Sequence, residues 1–374
     1  MPRCLLVFEP PDGGVAEHVL QLARGLPACG WEVEVAGPAR AAIYPALEAA
    51  GIRCVRLPFG RELRPGPYAR GLVEVRRLAA SGRYDLVHVH SSKAGAIGRV
   101  AARLGRVPVI YTPHGFAFNG PQGLPRRVLS VAVERALALM SAAIVCVSYA
   151  ERRKALEHRI ARPERLHVVH NGCPPCESAG PADPLLEALG EEGPLAGCVT
   201  LLRPKKGVEV FLEAAPRILR AVPDARLVVV GNGELRPALE ASAAGLGLDG
   251  RLHFLDFLPP ASRQLACLDV FVLPSLAEAF PISVLEALAC GVPQVATDVG
   301  GVLEAVADGE TGRLCPPGDP EALAESVIGL LRDAPGREAM AAASRERHRS
   351  RFSLEPMVAG TAAVYDGVLV SAAG

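Results

Sequence analysis

The sequence predicts an α/β protein of two Rossmann-like domains with parallel sheets, and three observations carry that reading. Short apolar or β-branched runs alternate with longer helical patterns from one end to the other, as they do where sheets are built from βα units. The chain has 374 residues, beyond the size at which one hydrophobic core usually keeps growing. A stretch crowded with Pro, Gly and Cys, 172–184, interrupts the alternation near the middle and reads as a linker without regular structure.

The elements follow in order. In an amino-terminal domain, 1–180, strands are expected at Arg3–Phe8, Trp31–Ala36, Ile52–Leu57, Asp85–Val89, Val107–Tyr111, Ala143–Val147 and Leu166–Val169. Helices fall between most of them. The first is the clearest, because Val15, Val19, Leu22, Ala23 and Leu26 recur at helical spacing behind Gly13-Gly14. In a second domain, 185–352, strands are expected at Ala196–Leu201, Arg226–Val230, Arg251–Leu255, Val270–Leu273, Gln294–Thr297 and Arg313–Cys315. A last helical pattern, Ser353–Leu369 within 353–374, follows the completed second sheet and is expected to pack back on the first domain. Open α/β sheets hold ligands at the carboxyl ends of their strands, so the expected site is a cleft where two such sheets face each other.

Composition narrows the function. Lys+Arg and Asp+Glu each number 40, which argues against a dedicated nucleic-acid binder. The charge is uneven: residues 1–180 carry 24 Lys+Arg against 14 Asp+Glu, and residues 181–374 carry 16 against 26. A basic half suits anionic lipid or an acidic acceptor, and mutual attraction of the domains accounts for it equally well. Ten cysteines lie mostly inside apolar runs, where they act as small buried hydrophobes. No apolar run reaches the roughly 20 residues a membrane span needs, and the first residues lack the pattern of a signal peptide. A cytoplasmic protein with reduced thiols is therefore expected.

The segment from Leu273 to Pro293 is the most informative. It sets Glu278 in the loop after a buried strand, Pro281 at the start of a helix and Glu286 inside that helix. Two glutamates eight apart are common on solvated helices. Here the residues between them are nearly all apolar or small, and a carboxylate on a helix suited to burial needs a partner. Upstream, Leu201-Leu202-Arg203-Pro204-Lys205-Lys206-Gly207 ends a strand and opens a helix, placing cations beside backbone donors as a diphosphate would require. The loop holding Gly13-Gly14 lets backbone amides approach a phosphate or sugar closely. His114 follows a buried strand, as does His90-Ser91-Ser92. Gly231-Asn232-Gly233 resembles part of a dinucleotide fingerprint, but Arg236 occupies the third glycine position, which argues against NAD. His167, His170, Cys173 and Cys176 offer four metal ligands in ten residues. Strand alternation sets the two histidines on opposite faces and no second Cys pair is near, so no metal site is expected there.

Together these segments resemble the retaining GT-B glycosyltransferases of family 4, whose E-x7-E motif is similar to Glu278 through Glu286; the likeness runs over almost the whole chain. The resemblance implies two facing Rossmann-like domains and metal-independent, front-face transfer of a sugar from a nucleotide diphosphate sugar, UDP- or GDP-linked, to a hydroxyl of a glycan or lipid-linked saccharide, as in polysaccharide biosynthesis. It implies that Glu286 holds the donor ribose and Glu278 the transferred sugar, with Phe280 also on the donor side. Lys206 matches the family lysine of a Lys-Gly step, while the arginine usual five residues earlier is Leu201 here and Arg203 stands in for it. Gly14 and Gly233 fall to the donor, His114 to the transferred sugar or acceptor side, and His90 and Ser91 to the acceptor. Gly300-Gly301 with Glu304 also matches the family's carboxyl-half pattern. No cofactor is implied, since the nucleotide sugar is the substrate, and the metal-binding Asp-x-Asp of the other glycosyltransferase architecture is absent. The basic segment Arg126 to Arg135 is expected to dock on the inner face of an anionic membrane. The alternatives are a nucleotide-sugar epimerase, disfavoured by the Glu278/Glu286 spacing, and a weakly active nucleotide-sugar-binding scaffold, motivated by Leu201.

Overall fold

The computed structural model describes residues 1–59, 65–120 and 123–373. The chain divides into two compact units, Met1–Gly172 with Leu354–Gly374, and Cys173–Ser353. Each is built on one sheet whose strands are all parallel.

In the first unit the strands are β1 (Arg3–Phe8), β2 (Glu32–Pro38), β3 (Arg53–Leu57), β4 (Leu86–His90), β5 (Val109–Thr112), β6 (Ala143–Cys146) and β7 (Leu166–Val168), in the order β3-β2-β1-β4-β5-β6-β7. In the second they are β8 (Leu195–Val199), β9 (Arg226–Val230), β10 (Leu252–Leu255), β11 (Val270–Leu273), β12 (Gln294–Thr297) and β13 (Gly312–Cys315), in the order β10-β9-β8-β11-β12-β13. The central strands β4, β5, β6, β8, β11 and β12 are buried at every residue. Helices covering both faces of a parallel sheet are the reason these strands read as unbroken apolar runs.

In both sheets the direction of strand addition reverses once, between β1 and β4 and between β8 and β11. At such a reversal the two following loops diverge to opposite faces and leave a crevice at the strands' carboxyl ends. The elements that bear on function emerge from these two places.

The carboxyl-terminal helix Leu354–Ala373 belongs to the first unit. Met357, Val358, Ala362, Val364 and Tyr365 join the same core cluster as Leu22, Leu26 and Trp31. Trp31 and Tyr365 pack edge to face at 4.9 Å, and the Trp31 Nε1–H donates to Asp366 Oδ1 at 3.2 Å. Such an aromatic pair contributes about 1 kcal/mol beyond its buried area.

Two expectations need correction. The stretch 172–184 is partly ordered: Cys176–Ala179 forms a short 3-10 helix, and a helix spans Pro184–Glu191. The Asp183 carboxylate caps the second helix by accepting from the Leu185 N–H at 3.0 Å. The thiols are not all reduced either, because Cys176 is disulfide-bonded to Cys290 across 114 residues of sequence.

Candidate functional site

In the second unit, the loops leaving β8, β9, β11 and β12 are fastened to one another. The Leu276 N–H donates to the Lys205 carbonyl at 2.8 Å and the Gly301 N–H to the Ala279 carbonyl at 3.0 Å. The Leu202 N–H donates to the Asn232 carbonyl at 3.1 Å. Glycines make this closeness possible. A Cβ on Gly207, at φ 60°, would lie 2.2 Å from the Pro274 carbonyl oxygen, and one on Gly300, at φ 55°, would lie 1.9 Å from that of Glu278. Both positions therefore require glycine for backbone conformation and for space.

Onto this platform Lys206 and Glu278 project from different loops and meet. Lys206 Nζ donates to Glu278 Oε1 at 2.6 Å, and Ser275 Oγ donates to the same oxygen at 2.7 Å. The side chains are 16% and 7% exposed, so each charge depends on the other. Burial alone would raise the Glu278 carboxyl's pKa, but Lys206, Lys205 and the Ser275 hydroxyl hold it below its ordinary value. Lys205 is lowered as well, by burial first, with Lys206 and Arg203 adding to the effect and Glu278 opposing it. The result is an ionised carboxylate within a cluster of cations, all at strand carboxyl ends.

Arg203 is half-buried at the amino-terminal cap of the turn Pro204–Lys206. Gly233 follows β9 and backs closely onto the Leu202 carbonyl. Glu286 lies half-buried on the helix Ile282–Cys290, where Ile282, Val284, Leu285, Ala287, Leu288 and Ala289 are buried. Phe280 is buried against Phe352, ring centroids 5.6 Å apart. The first charged residue of the E-x7-E segment is thus held in the loop cluster, and the second stands as the one charge on an apolar helix.

In the first unit, Gly14 is exposed at the first turn of the helix Gly14–Gly25, following Gly13 at φ 79°. His90 ends β4, and Ser91, at φ 73°, turns the chain into the helix Ser92–Gly105. His114, after β5, also lies in the left-handed region at φ 51°, a strained place for a residue other than glycine. His90 Nδ1 and His114 Nε2 are 3.1 Å apart. His18, from the first helix, brings its ring within 4.6 Å of His114 and 5.4 Å of His90. Burial holds all three rings' pKa values below the usual histidine range, His18 at about 4, so they are neutral at physiological pH. The sequence reading named His90, Ser91 and His114 but not His18, which sits among apolar helix residues and reads as one of them.

Glu151 was also missed. It is buried in the first turn of the helix Tyr149–Glu157 that follows β6, where its Oε1 accepts from the Gly115 N–H at 2.6 Å and its Oε2 from the Val147 N–H at 2.8 Å. The Ser148-x-x-Glu151 spacing after a strand is the one local signal: Ser148 Oγ caps the helix by accepting from the Glu151 N–H at 3.0 Å. The carboxylate, however, reaches outward and secures the turn that carries His114. Cys176, once counted among potential metal ligands, is bonded to Cys290 and is not available as one.

Comparison with known proteins matches both units. Residues 13–172 fit the model of a "Glycosyl transferase 4-like domain", and residues 193–333 that of "Glycosyl transferases group 1". The phosphatidyl-myo-inositol mannosyltransferase of Mycolicibacterium smegmatis is 31% identical over 369 residues, spanning 94% of this chain and 89% of that one. The Escherichia coli UDP-Gal:alpha-D-GlcNAc-diphosphoundecaprenol alpha-1,3-galactosyltransferase is 31% identical over 241 residues, 62% of each chain. In fold, HepE from Anabaena, solved with UDP and glucose, superposes with a TM-score of 0.84 at 22% identity, covering 98% of this chain and 100% of that one. Two Rossmann-like domains and these sequence likenesses define a glycosyltransferase of the GT-B class. The chain belongs to family 4 of that class, the group 1 glycosyltransferases.

Proposed function

We propose that the chain is a retaining, metal-independent glycosyltransferase that moves a sugar from a UDP- or GDP-sugar to a hydroxyl of a glycan or lipid-linked saccharide. The observation that carries this reading is the Lys206–Glu278 pair at 2.6 Å, standing where the β8 and β11 loops diverge. Its two partners match the two ends of a nucleotide sugar. Lys206, with Lys205 and Arg203, supplies positive charge for the departing diphosphate, the role a metal plays elsewhere. Once phosphate takes up the ammonium, the Glu278 carboxylate is free to accept hydrogen bonds from hydroxyls of the transferred sugar. Such bonds strengthen as the ring becomes oxocarbenium-like. Glu286 accepts from the donor ribose, and Phe280, Gly14 and Gly233 complete the donor contacts. In front-face transfer the leaving phosphate oxygen accepts the proton of the attacking hydroxyl, so no second carboxylate is needed as base. His114, His90 and Ser91 contact the sugar and the acceptor.

The E. coli relative's name gives a UDP-sugar donor and a diphosphoundecaprenol acceptor, and the mycobacterial relative's a phosphatidylinositol acceptor; both support a lipid-linked acceptor here. A peripheral position on an anionic membrane is supported by the helix Leu124–Ala138, which exposes Leu124, Val128, Leu129 and Val133 by 46–73% beside Arg126 and Arg135. Among the described residues no helix is long and apolar enough to cross a membrane.

The decisive test combines a donor panel with one substitution. UDP-, GDP- and ADP-sugars are screened by thermal shift, since a bound donor raises the melting temperature. Transfer of the stabilising donor to lipid-linked acceptors is then followed in EDTA, with the anomeric configuration of the product read by NMR. The expected result is a retained anomer, turnover indifferent to EDTA, and a loss of about 100-fold or more in Glu278→Gln, which keeps the shape and loses the charge. Undiminished turnover in that variant would overturn the reading.

A further inference from the structure

We propose that His18, His90 and His114 form a binding site for Zn2+ in the first unit. The three come from separate elements, the helix Gly14–Gly25, the end of β4 and the turn after β5. One ligand atom from each lies within 4.8 Å of the others. His90 Nδ1 and His114 Nε2 share a hydrogen bond at 3.1 Å, a separation near the edge of roughly 3.3 Å that bonds of about 2.0 Å impose on a tetrahedron.

The cluster is short of partners. His18 Nδ1 and His90 Nε2 are buried without a hydrogen bond, an arrangement that folded proteins normally avoid, although the Asn171 side chain bonds to the His18 ring and the other His90 nitrogen bonds to His114. The adjacent His88 differs: although its ring is 4.0 Å from that of His90, its nitrogens are taken by the Tyr365 hydroxyl at 2.6 Å and Thr112 Oγ1 at 2.8 Å. It walls the site and has no lone pair to offer. Burial keeps the other three rings unprotonated at neutral pH, the form that ligates metal. A set of three imidazoles with no carboxylate selects Zn2+ over Mg2+ and leaves a fourth position for water.

The test uses the full chain, dialysed against EDTA and titrated with ZnCl2 by calorimetry and thermal shift, without donor or acceptor. One equivalent is expected to bind and raise the melting temperature, while MgCl2 does neither. His18→Ala and His114→Gln should each weaken binding by at least about tenfold; using two variants guards against one failing to fold, which circular dichroism would reveal. Co2+ in place of zinc should give d–d absorption without a thiolate charge-transfer band. Absence of uptake, uptake undiminished in both variants, or a thiolate band assigning the metal to cysteine would each overturn the proposal. Since the metal titration omits substrates and the transfer assay contains EDTA, either reading can fail without the other.

Discussion

Glu151 ties its own turn to that of His114 through two backbone N–H groups, and its protonation has consequences for stability and for turnover. Burial raises its pKa from 4.5 to about 7, against the opposing pull of the Val147 and Gly115 N–H groups and Lys154. With the folded-state value above the unfolded one, the native state holds a proton that the unfolded chain has lost between about pH 4.5 and 7. Stability relative to Glu151→Gln therefore falls as pH rises through that window, by up to about 3 kcal/mol, and is level above it. Denaturant unfolding of both proteins at pH 5 and pH 8 measures the difference. In turnover the sign reverses. The carboxylate is the stronger acceptor for the Gly115 N–H, so activity should rise through about pH 7, and Glu151→Gln should lack that limb. A shared acidic limb would show that Glu151 does not position His114.

Among the elements, the helix Leu124–Ala138 is unusual in which side it hides. Val131, Glu134 and Ala138 face inward, where Glu134 pairs with Arg99 at 2.9 Å and accepts from the Tyr111 hydroxyl at 3.2 Å. The guanidinium of Arg99 also lies 3.8 Å over the Tyr111 ring. Leu124, Val128, Leu129 and Val133 face outward, the reverse of a helix that serves only the core. Replacing Leu129 and Val133 together by Ser should weaken binding to anionic vesicles by tenfold or more, at about 1.5 kcal/mol or more for each apolar side chain withdrawn from lipid. Co-sedimentation with phosphatidylglycerol vesicles measures this, and unchanged binding would remove the helix from the docking surface. Thermal stability should barely move, because neither side chain is buried.

At the scale of the molecule, much of the fold is legible in the sequence. β9, β11 and β12 span the expected residues, because a parallel strand buried on both faces leaves an unbroken apolar run. β2 and β4 extend past their expected ends, to Pro38 and His90, since proline and histidine do not look like strand residues. Contacts between distant residues left no local trace: Lys206 with Glu278, 72 positions apart, Cys176 with Cys290, and His18 with the turn of His114. Each joins residues whose neighbours in sequence say nothing of the partner. The motifs point to the loops, but the pairing within them depends on how the sheets order their strands.

The first unit is also discontinuous, and removing the chain from Leu354 onward tests what that means. The shortened protein should keep the second unit's melting transition and lose that of the first, whose Trp31 would be left uncovered. Calorimetry resolves the two, and an unshifted first transition would show the helix to be dispensable.

A ribosome reaches these parts in a particular order. The second unit is finished while the first, begun earlier, still awaits its closing helix. During that interval the surface around Leu22, Leu26 and Trp31 is open to solvent and to other nascent chains. The half made first is the half completed last, and the span between those moments is its window of vulnerability to misassociation in the cell.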